Sequence, residues 1–142
     1  MIGNIDLPFN GDFEIKYAHD GDAGLDLLSV ENKTIAPHDW EAIDTGIAVN
    51  VPKGYVGLVH PRSGMAKKSG VTVLNAPGTI DAGYTGNIHV LLINHSNKPY
   101  VVSAGDKIAQ LLIQQVCAVN LVDWTDDAVS DRGSNGFGSS GV

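Results

Sequence analysis

Short apolar runs rich in β-branched residues recur along the chain, each closed within a few positions by turn-forming residues. Residues 45–51 (TGIAVNV), 55–60 (YVGLVH), 87–94 (NIHVLLIN), 100–105 (YVVSAG) and 107–119 (KIAQLLIQQVCAV) read as strands. Valine and isoleucine, stiff at χ1, suit a pleated surface better than a helix. Residues 51–54 (VPKG) and 95–99 (HSNKP) supply the proline, glycine, asparagine and serine of turns. Several short strands at close spacing predict an all-β sandwich or barrel, not a parallel α/β sheet. Residues 61–70 (PRSGMAKKSG) depart from the pattern: a proline, Ser63 as N-cap, helix-compatible residues, then Gly70 as a stop. They predict a single short helix.

No internal repeat or interdomain linker interrupts the pattern, so residues 1–130 read as one β domain. Residues 131–142 (DRGSNGFGSSGV) hold four glycines and three serines. That composition buries too little side chain to fold alone and reads as a flexible tail. The tail nevertheless carries Arg132, one of two arginines in the chain, and Phe137, one of three phenylalanines.

The bulk numbers narrow the function classes. A chain of 142 residues with 43% hydrophobic content suffices for one domain with a real core. The net charge of −7 argues against a long nucleic-acid partner, which needs a basic stripe, but leaves a small anion open. Cys117 is the only cysteine, so no internal disulfide and no cysteine-based zinc site form; within its apolar run it reads as buried. The first ten residues lack the basic flank and apolar run of a signal peptide, and no apolar run reaches the roughly 18 or more residues that could span a membrane. The expectation is a soluble, cytoplasmic protein.

Candidate chemistry sits in five places. The start of the predicted helix, with Arg62, suits a phosphate, or simply joins two strands. Asp26, inside the apolar run AGLDLLS, either meets a hydrated metal ion or orients a loop. Residues 75–87 (NAPGTIDAGYTGN) form a hairpin-like excursion: its backbone and Asn75 can read the edge of a flat ring, Asp81 can take a proton from water, and Tyr84 can offer a wall. An ordinary turn acid and a half-buried strand tyrosine fit the same positions. Gln110, in an otherwise apolar strand, either faces inward with partners or lies on the surface. The tail is the fifth place.

In order, these stretches resemble the trimeric deoxyuridine triphosphatases (dUTPases). That family is marked by five short motifs, matched here by AGLDL (23–27), PRSGMA (61–66), NAPGTIDAGYTGN (75–87), GDKIAQL (105–111) and RGSNGFGSSG (132–141). The resemblance implies a jelly-roll-like β fold and a homotrimer whose active sites draw on all three chains. It implies Mg²⁺-dependent hydrolysis of dUTP to dUMP and pyrophosphate, limiting uracil in DNA and supplying dUMP for dTTP synthesis. Asp81 matches the acid that activates the attacking water, and Tyr84 the residue beneath the deoxyribose. Asn75, with Gly78, Thr79 and Ile80, matches the uracil-reading edge. Arg62, Ser63, Gly64 and Gln110 match phosphate-side positions, and Asp26 the acid that meets Mg²⁺ through water. In the tail, Arg132 matches a cation for the phosphates and Phe137 a ring stacked on uracil. Gly138, Ser139 and Ser140 match the cradle of the terminal phosphate.

Three positions depart from the family pattern: Asn135 and Lys107 replace a common glycine and a common arginine, and Thr85 follows Tyr84 where arginine is frequent. Two other readings compete. A dCTP deaminase of the same fold needs a glutamate after the excursion, but residues 87–105 contain no acid. A non-catalytic, nucleotide-switched regulator would be expected to have lost Asp81 or the tail, and both are present.

Overall fold

The computed structural model describes residues 3–11, 13–125 and 130–141. In chain order the elements are β1 (Phe9–Gly11), β2 (Leu25–Leu28), β3 (Lys33–Ile35), β4 (Trp40–Val49), β5 (Tyr55–His60), α1 (Ser63–Ser69), β6 (Val71–Val73), β7 (Gly78–Ile80), β8 (Asn87–Asn94), β9 (Tyr100–Val102) and β10 (Lys107–Gln115). One sheet has the order β1-β4-β8-β6, a second β2-β10-β5-β7, and β3 pairs with β9 in a short ribbon. Every pairing is antiparallel. The result is a jelly-roll-like sandwich with one short helix. No helix among the described residues is long and apolar enough to cross a membrane.

Period-two patterning builds the core. Ile43, Thr45, Ile47 and Val49 of β4 and Ile88, Val90, Leu92 and Asn94 of β8 face inward while their neighbours face out. The second sheet contributes Leu27, Val59, Ile108, Ala109 and Leu111 to the same cluster. Ile108 and Ala109 are both buried because a bulge between Lys107 and Ala109 shifts the β10–β2 register. The buried polar groups are bonded: Asn94 Nδ2 donates to the carbonyls of Ile35 (3.0 Å) and Lys98 (2.7 Å), and Thr45 Oγ1 to that of Ile88 (2.7 Å).

The structure redraws several expected boundaries. β4 starts at Trp40, five residues before the apolar run that announces it, because residues 40–44 pair with β8 while mixing exposed, half-buried and buried side chains. β10 ends at Gln115, not residue 119: its partner β5 begins at Tyr55, opposite Gln115, so the chain beyond has no strand to pair with. Cys117 is therefore exposed, contrary to the expectation of a buried thiol. Ser63 is the first helical residue and not the N-cap; Arg62 occupies the cap in extended backbone and makes no side-chain cap bond. Gly70 does end the helix, in the left-handed conformation (φ 65°) that a residue with a Cβ resists.

Beyond Val116, whose N–H reaches the Gly54 carbonyl at 2.9 Å, the described residues bond only to near neighbours. Residues 117–125 and 130–141 carry no strand or helix, and Val142 of the expected tail lies outside the described residues.

Candidate functional site

The excursion at residues 75–87 is not a hydrogen-bonded hairpin. β6, before it, pairs with β8 in the first sheet, whereas β7, inside it, pairs with β5 in the second. The chain crosses between sheets, and the gap between β7 and β8 becomes a cavity of about 250 Å³. Asn75, Gly78, Thr79, Asp81, Tyr84 and His89 are among its lining residues. That volume falls below the roughly 300–1,000 Å³ typical of small-molecule sites, so one chain provides room for part of a nucleotide-sized ligand.

The local chain explains each placement. Asp81 is exposed at a turn closed by its own carbonyl, which accepts the Tyr84 N–H at 3.1 Å. Tyr84 lies over Gly86, where a Cβ would come within 2.5 Å of the hydroxyl and 2.8 Å of Cζ; the ring occupies space only glycine leaves. The hydroxyl donates to the Asn87 carbonyl at 3.2 Å. The Asn75 amide rests against Gly78, where a Cβ would meet Nδ2 at 3.3 Å. Ile80 turns its side chain into the core against Gly57, so only its backbone is available to a ligand.

A second group assembles across β2, β10 and β5. Asp26 lies opposite Gln110, and Gln110 opposite His60, in one cross-strand row. Gln110 lies half-buried on the face of β10 opposite the core residues Ala109 and Leu111, and it has a partner there: its Nε2 donates to the Pro61 carbonyl at 3.0 Å. Arg62 Nη1 donates to the Lys107 carbonyl at 3.1 Å, and Lys107 Nζ pairs with Asp26 Oδ2 at 3.0 Å. Lys107 thus keeps a cation beside the acid. Ser63 and Gly64 follow, exposed, on the first turn of α1. Burial pushes the Tyr100 phenol above its ordinary value, with Asp106 adding to the rise and Arg62 opposing it.

Buried Gly24 closes this group from the side. A Cβ there would fall on Gln110 Oε1 and lie 2.8 Å from the Gln110 Cβ. Gly24→Ala is expected to displace the amide from Pro61 and cost about 1–3 kcal/mol by overpacking, read as a lower midpoint in urea unfolding. A midpoint equal to wild type would mean that the loop shifts freely.

The third group stands apart. Arg132, Phe137, Gly138, Ser139 and Ser140 are all exposed, and Phe137 makes no buried contact. Arg132 Nε donates to the Asn135 carbonyl at 3.0 Å, and the Asn135 N–H returns a bond to the Arg132 carbonyl at 3.1 Å. In the tail the left-handed backbone falls on Phe137 (φ 48°) and on Gly133, Gly138 and Gly141; Asn135 does not adopt it. One chain therefore brings the sequence-predicted residues together in three clusters and does not join the clusters: the cavity lining includes neither the Gln110 group nor the tail. Sequence reasoning missed Asn87 and His89, which alternate with buried Ile88 and Val90; that alternation was their signal.

Comparisons with known proteins identify what the chain is similar to. The family described as dUTPase matches residues 14–141. A deoxyuridine 5′-triphosphate nucleotidohydrolase of Bifidobacterium longum subsp. infantis is 51% identical over 129 residues, 90% of this chain and 82% of that protein. One from Clostridium tetani is 50% identical over 126 residues, 89% of this chain and 87% of that protein. Among solved structures, a Staphylococcus bacteriophage 80alpha dUTPase with dUPNHPP superposes with a TM-score of 0.86 at 30% identity, covering 96% of this chain and 99% of that one. A dUTPase from phage phi11 of S. aureus, described with a structural Mg(II) ion, gives a TM-score of 0.80 at 27% identity, covering 89% of this chain and 100% of that one.

Proposed function

The chain belongs to the dUTPase family, and we propose that it hydrolyses dUTP to dUMP and pyrophosphate at a site completed by three copies of itself. The observation that carries this reading is the cavity between β7 and β8, with Asp81 and Tyr84 on its lining and room for only part of the substrate. Uracil is read by Asn75 and the backbone of Gly78, Thr79 and Ile80, and Tyr84 underlies the deoxyribose, where a 2′-hydroxyl would collide. Arg62, Ser63, Gly64 and Gln110 of a second copy receive the phosphates. The tail of a third copy closes the site, with Phe137 on the base, Arg132 on the phosphates, and Gly138, Ser139 and Ser140 around the terminal phosphate. A glycine-rich tail brings backbone donors close to an anion and orders only when ligand contacts offset the entropy.

The chemistry balances on these residues. Asp81 takes a proton from a water whose oxygen forms a bond to the α-phosphorus. The bond from that phosphorus to the bridging oxygen breaks, and its electron pair leaves with pyrophosphate. Positioning and charge neutralisation carry the rest.

The residues fit Mg²⁺ carried on the phosphates better than a resident ion. Among the described residues no group of three or more potential ligands converges, and the Asp26 carboxylate is already shared with Lys107. Mg²⁺ keeps several waters and takes one or two carboxylates plus substrate phosphates, so Asp26 would hold it through water. When bound, it supplies most of the positive charge the triphosphate needs in a protein of net charge −7.

Trimer formation draws support from the segment after β10. Val119, Leu121, Val122 and Trp124 are exposed, Leu121 at 95%, an unusual concentration of apolar surface that no described residue of its own chain covers. On this reading the enzyme works in the cytoplasm and removes dUTP before polymerases use it.

The test is pyrophosphate release from dUTP, UTP, dTTP and dCTP with Mg²⁺. Turnover of dUTP should exceed that of each competitor by about 100-fold in kcat/KM: dCTP mismatches the polar edge of the base, UTP adds a hydroxyl against Tyr84, and dTTP adds a methyl to the ring. Comparable turnover of all four would end this reading.

A further inference from the structure

Tyr84 does not stand alone at the cavity. Its hydroxyl donates to the Asn87 carbonyl (3.2 Å), and His89 Nδ1 approaches the same oxygen at 3.2 Å. A carbonyl only accepts, so Nδ1 of His89 carries the proton, and two side chains share one acceptor. The Asn87 side chain runs the other way: its Nδ2 donates to Asp44 Oδ1 at 3.3 Å. Asp44 is itself tightly held. The same Oδ1 accepts the Gly46 N–H at 2.8 Å, its own N–H donates to Glu31 Oε2 at 2.9 Å, and its carbonyl accepts the Val30 N–H at 3.0 Å. Glu31 is in turn paired with Lys33 at 3.5 Å.

The sheet explains why these groups meet. Asp44 of β4 lies directly opposite His89 of β8, so both side chains leave the same face. Between Asp44 and Ala48 the register slips, and Asn87 pairs with Ala48. The slip leaves the Asp44 carboxylate beside the Asn87 amide instead of an ordinary ladder neighbour. Bulges of this kind re-aim side chains next to functional sites.

We propose that Asp44, Asn87 and His89 are positioning residues that set the tilt of Tyr84 and thereby the preference of the site for deoxyribose over ribose. The inference rests on the reading of Tyr84 as the surface beneath the sugar. A ring on a turn can rock about its Cα–Cβ bond, and rejection of one extra hydroxyl demands a fixed wall. Gly86 fits the ring from one side, and the Asn87 carbonyl holds the hydroxyl end. Asp44 keeps that carbonyl in place by clamping the Asn87 side chain to a bulge that is bonded on three sides.

The experiment measures kcat/KM for dUTP and UTP in Asp44→Ala, Asp44→Asn, His89→Ala, Tyr84→Phe and Tyr84→Ala. Asp44→Ala, His89→Ala and Tyr84→Phe should each lower the dUTP-to-UTP ratio by roughly 3- to 10-fold, the range a single hydrogen bond commands. Asp44→Asn, which retains Oδ1, should restore the ratio to near wild type. The double variant Asp44→Ala with Tyr84→Phe should lose less than the product of the single losses, since both cut one chain of bonds. His89 is exposed, so His89→Ala reports even if Asp44→Ala fails to fold. If Tyr84→Ala collapses the ratio while Asp44→Ala and His89→Ala leave it at wild type, the network is overturned and the role of Tyr84 stands. If Tyr84→Ala itself leaves the ratio unchanged, the role of Tyr84 falls and the network inference with it.

Discussion

Asp81→Asn is expected to lower kcat for dUTP by about 10³-fold, within the 10²–10⁴ that a positioned general base contributes. The substitution keeps shape and removes the proton acceptor. The bond that shapes the turn runs from the Tyr84 N–H to the backbone carbonyl of residue 81, so the side chain is not needed to hold it. Asp81 is exposed and makes no side-chain ion pair among the described residues, so unfolding midpoints should agree within about 0.5 kcal/mol of stability. Binding of a non-hydrolysable dUTP analogue should change by only a few-fold, since the proposed site reads uracil and sugar through other residues. The checks are steady-state pyrophosphate release, calorimetric titration of the analogue and urea unfolding. A kcat within about 10-fold of wild type would show that another group takes the proton. The nearest alternative on the cavity lining is His89, whose protonated Nδ1 leaves Nε2 as an acceptor.

The contrast between the three clusters shows what a sequence discloses. The strands 55–60 and 87–94 were legible because each residue's face follows from alternation, and that rule needs no partner. The start of β4 was not, because residues 40–44 mix exposed Trp40, buried Ile43 and half-buried polar neighbours, and become strand through pairing with β8. Cys117 was misplaced for the same reason in reverse: an apolar run continues, but its neighbouring strand does not. In the site, Asp81, Tyr84 and Asn75 were legible as a dense motif in one short stretch. The Asp44 clamp was not: Asp44 and Asn87 are 43 positions apart and meet only through a register slip. The crossing of residues 75–87 between sheets, which creates the cavity, is likewise a property of pairing and not of local sequence.

Ending the chain after Ser130 is expected to lower kcat/KM for dUTP by about 10³-fold or more without lowering the unfolding midpoint. The two halves of that statement have separate grounds. The described residues 131–141 are exposed and make no hydrogen bond to the sandwich, so their removal withdraws nothing from the core. On the proposed reading, their loss withdraws from the bound nucleotide one stacked ring and one guanidinium. Base–aromatic stacking contributes about 1–3 kcal/mol, and an arginine on a transferring phosphoryl group about 10³–10⁵ in rate, and both exist only when substrate is present. Phe137→Ala should then weaken binding mainly through KM, while Arg132→Ala should act mainly on kcat. Mixing settles which copy each tail serves. Truncated chains retain Asp81, and full-length Asp81→Asn chains retain the tail. Random co-assembly at equal amounts would place an intact Asp81 beside a tail from another copy in about one site in four of a closed threefold ring, and activity should reappear to that extent. If each tail closes over its own chain's cavity, no site holds both parts and the mixture stays as inactive as its components.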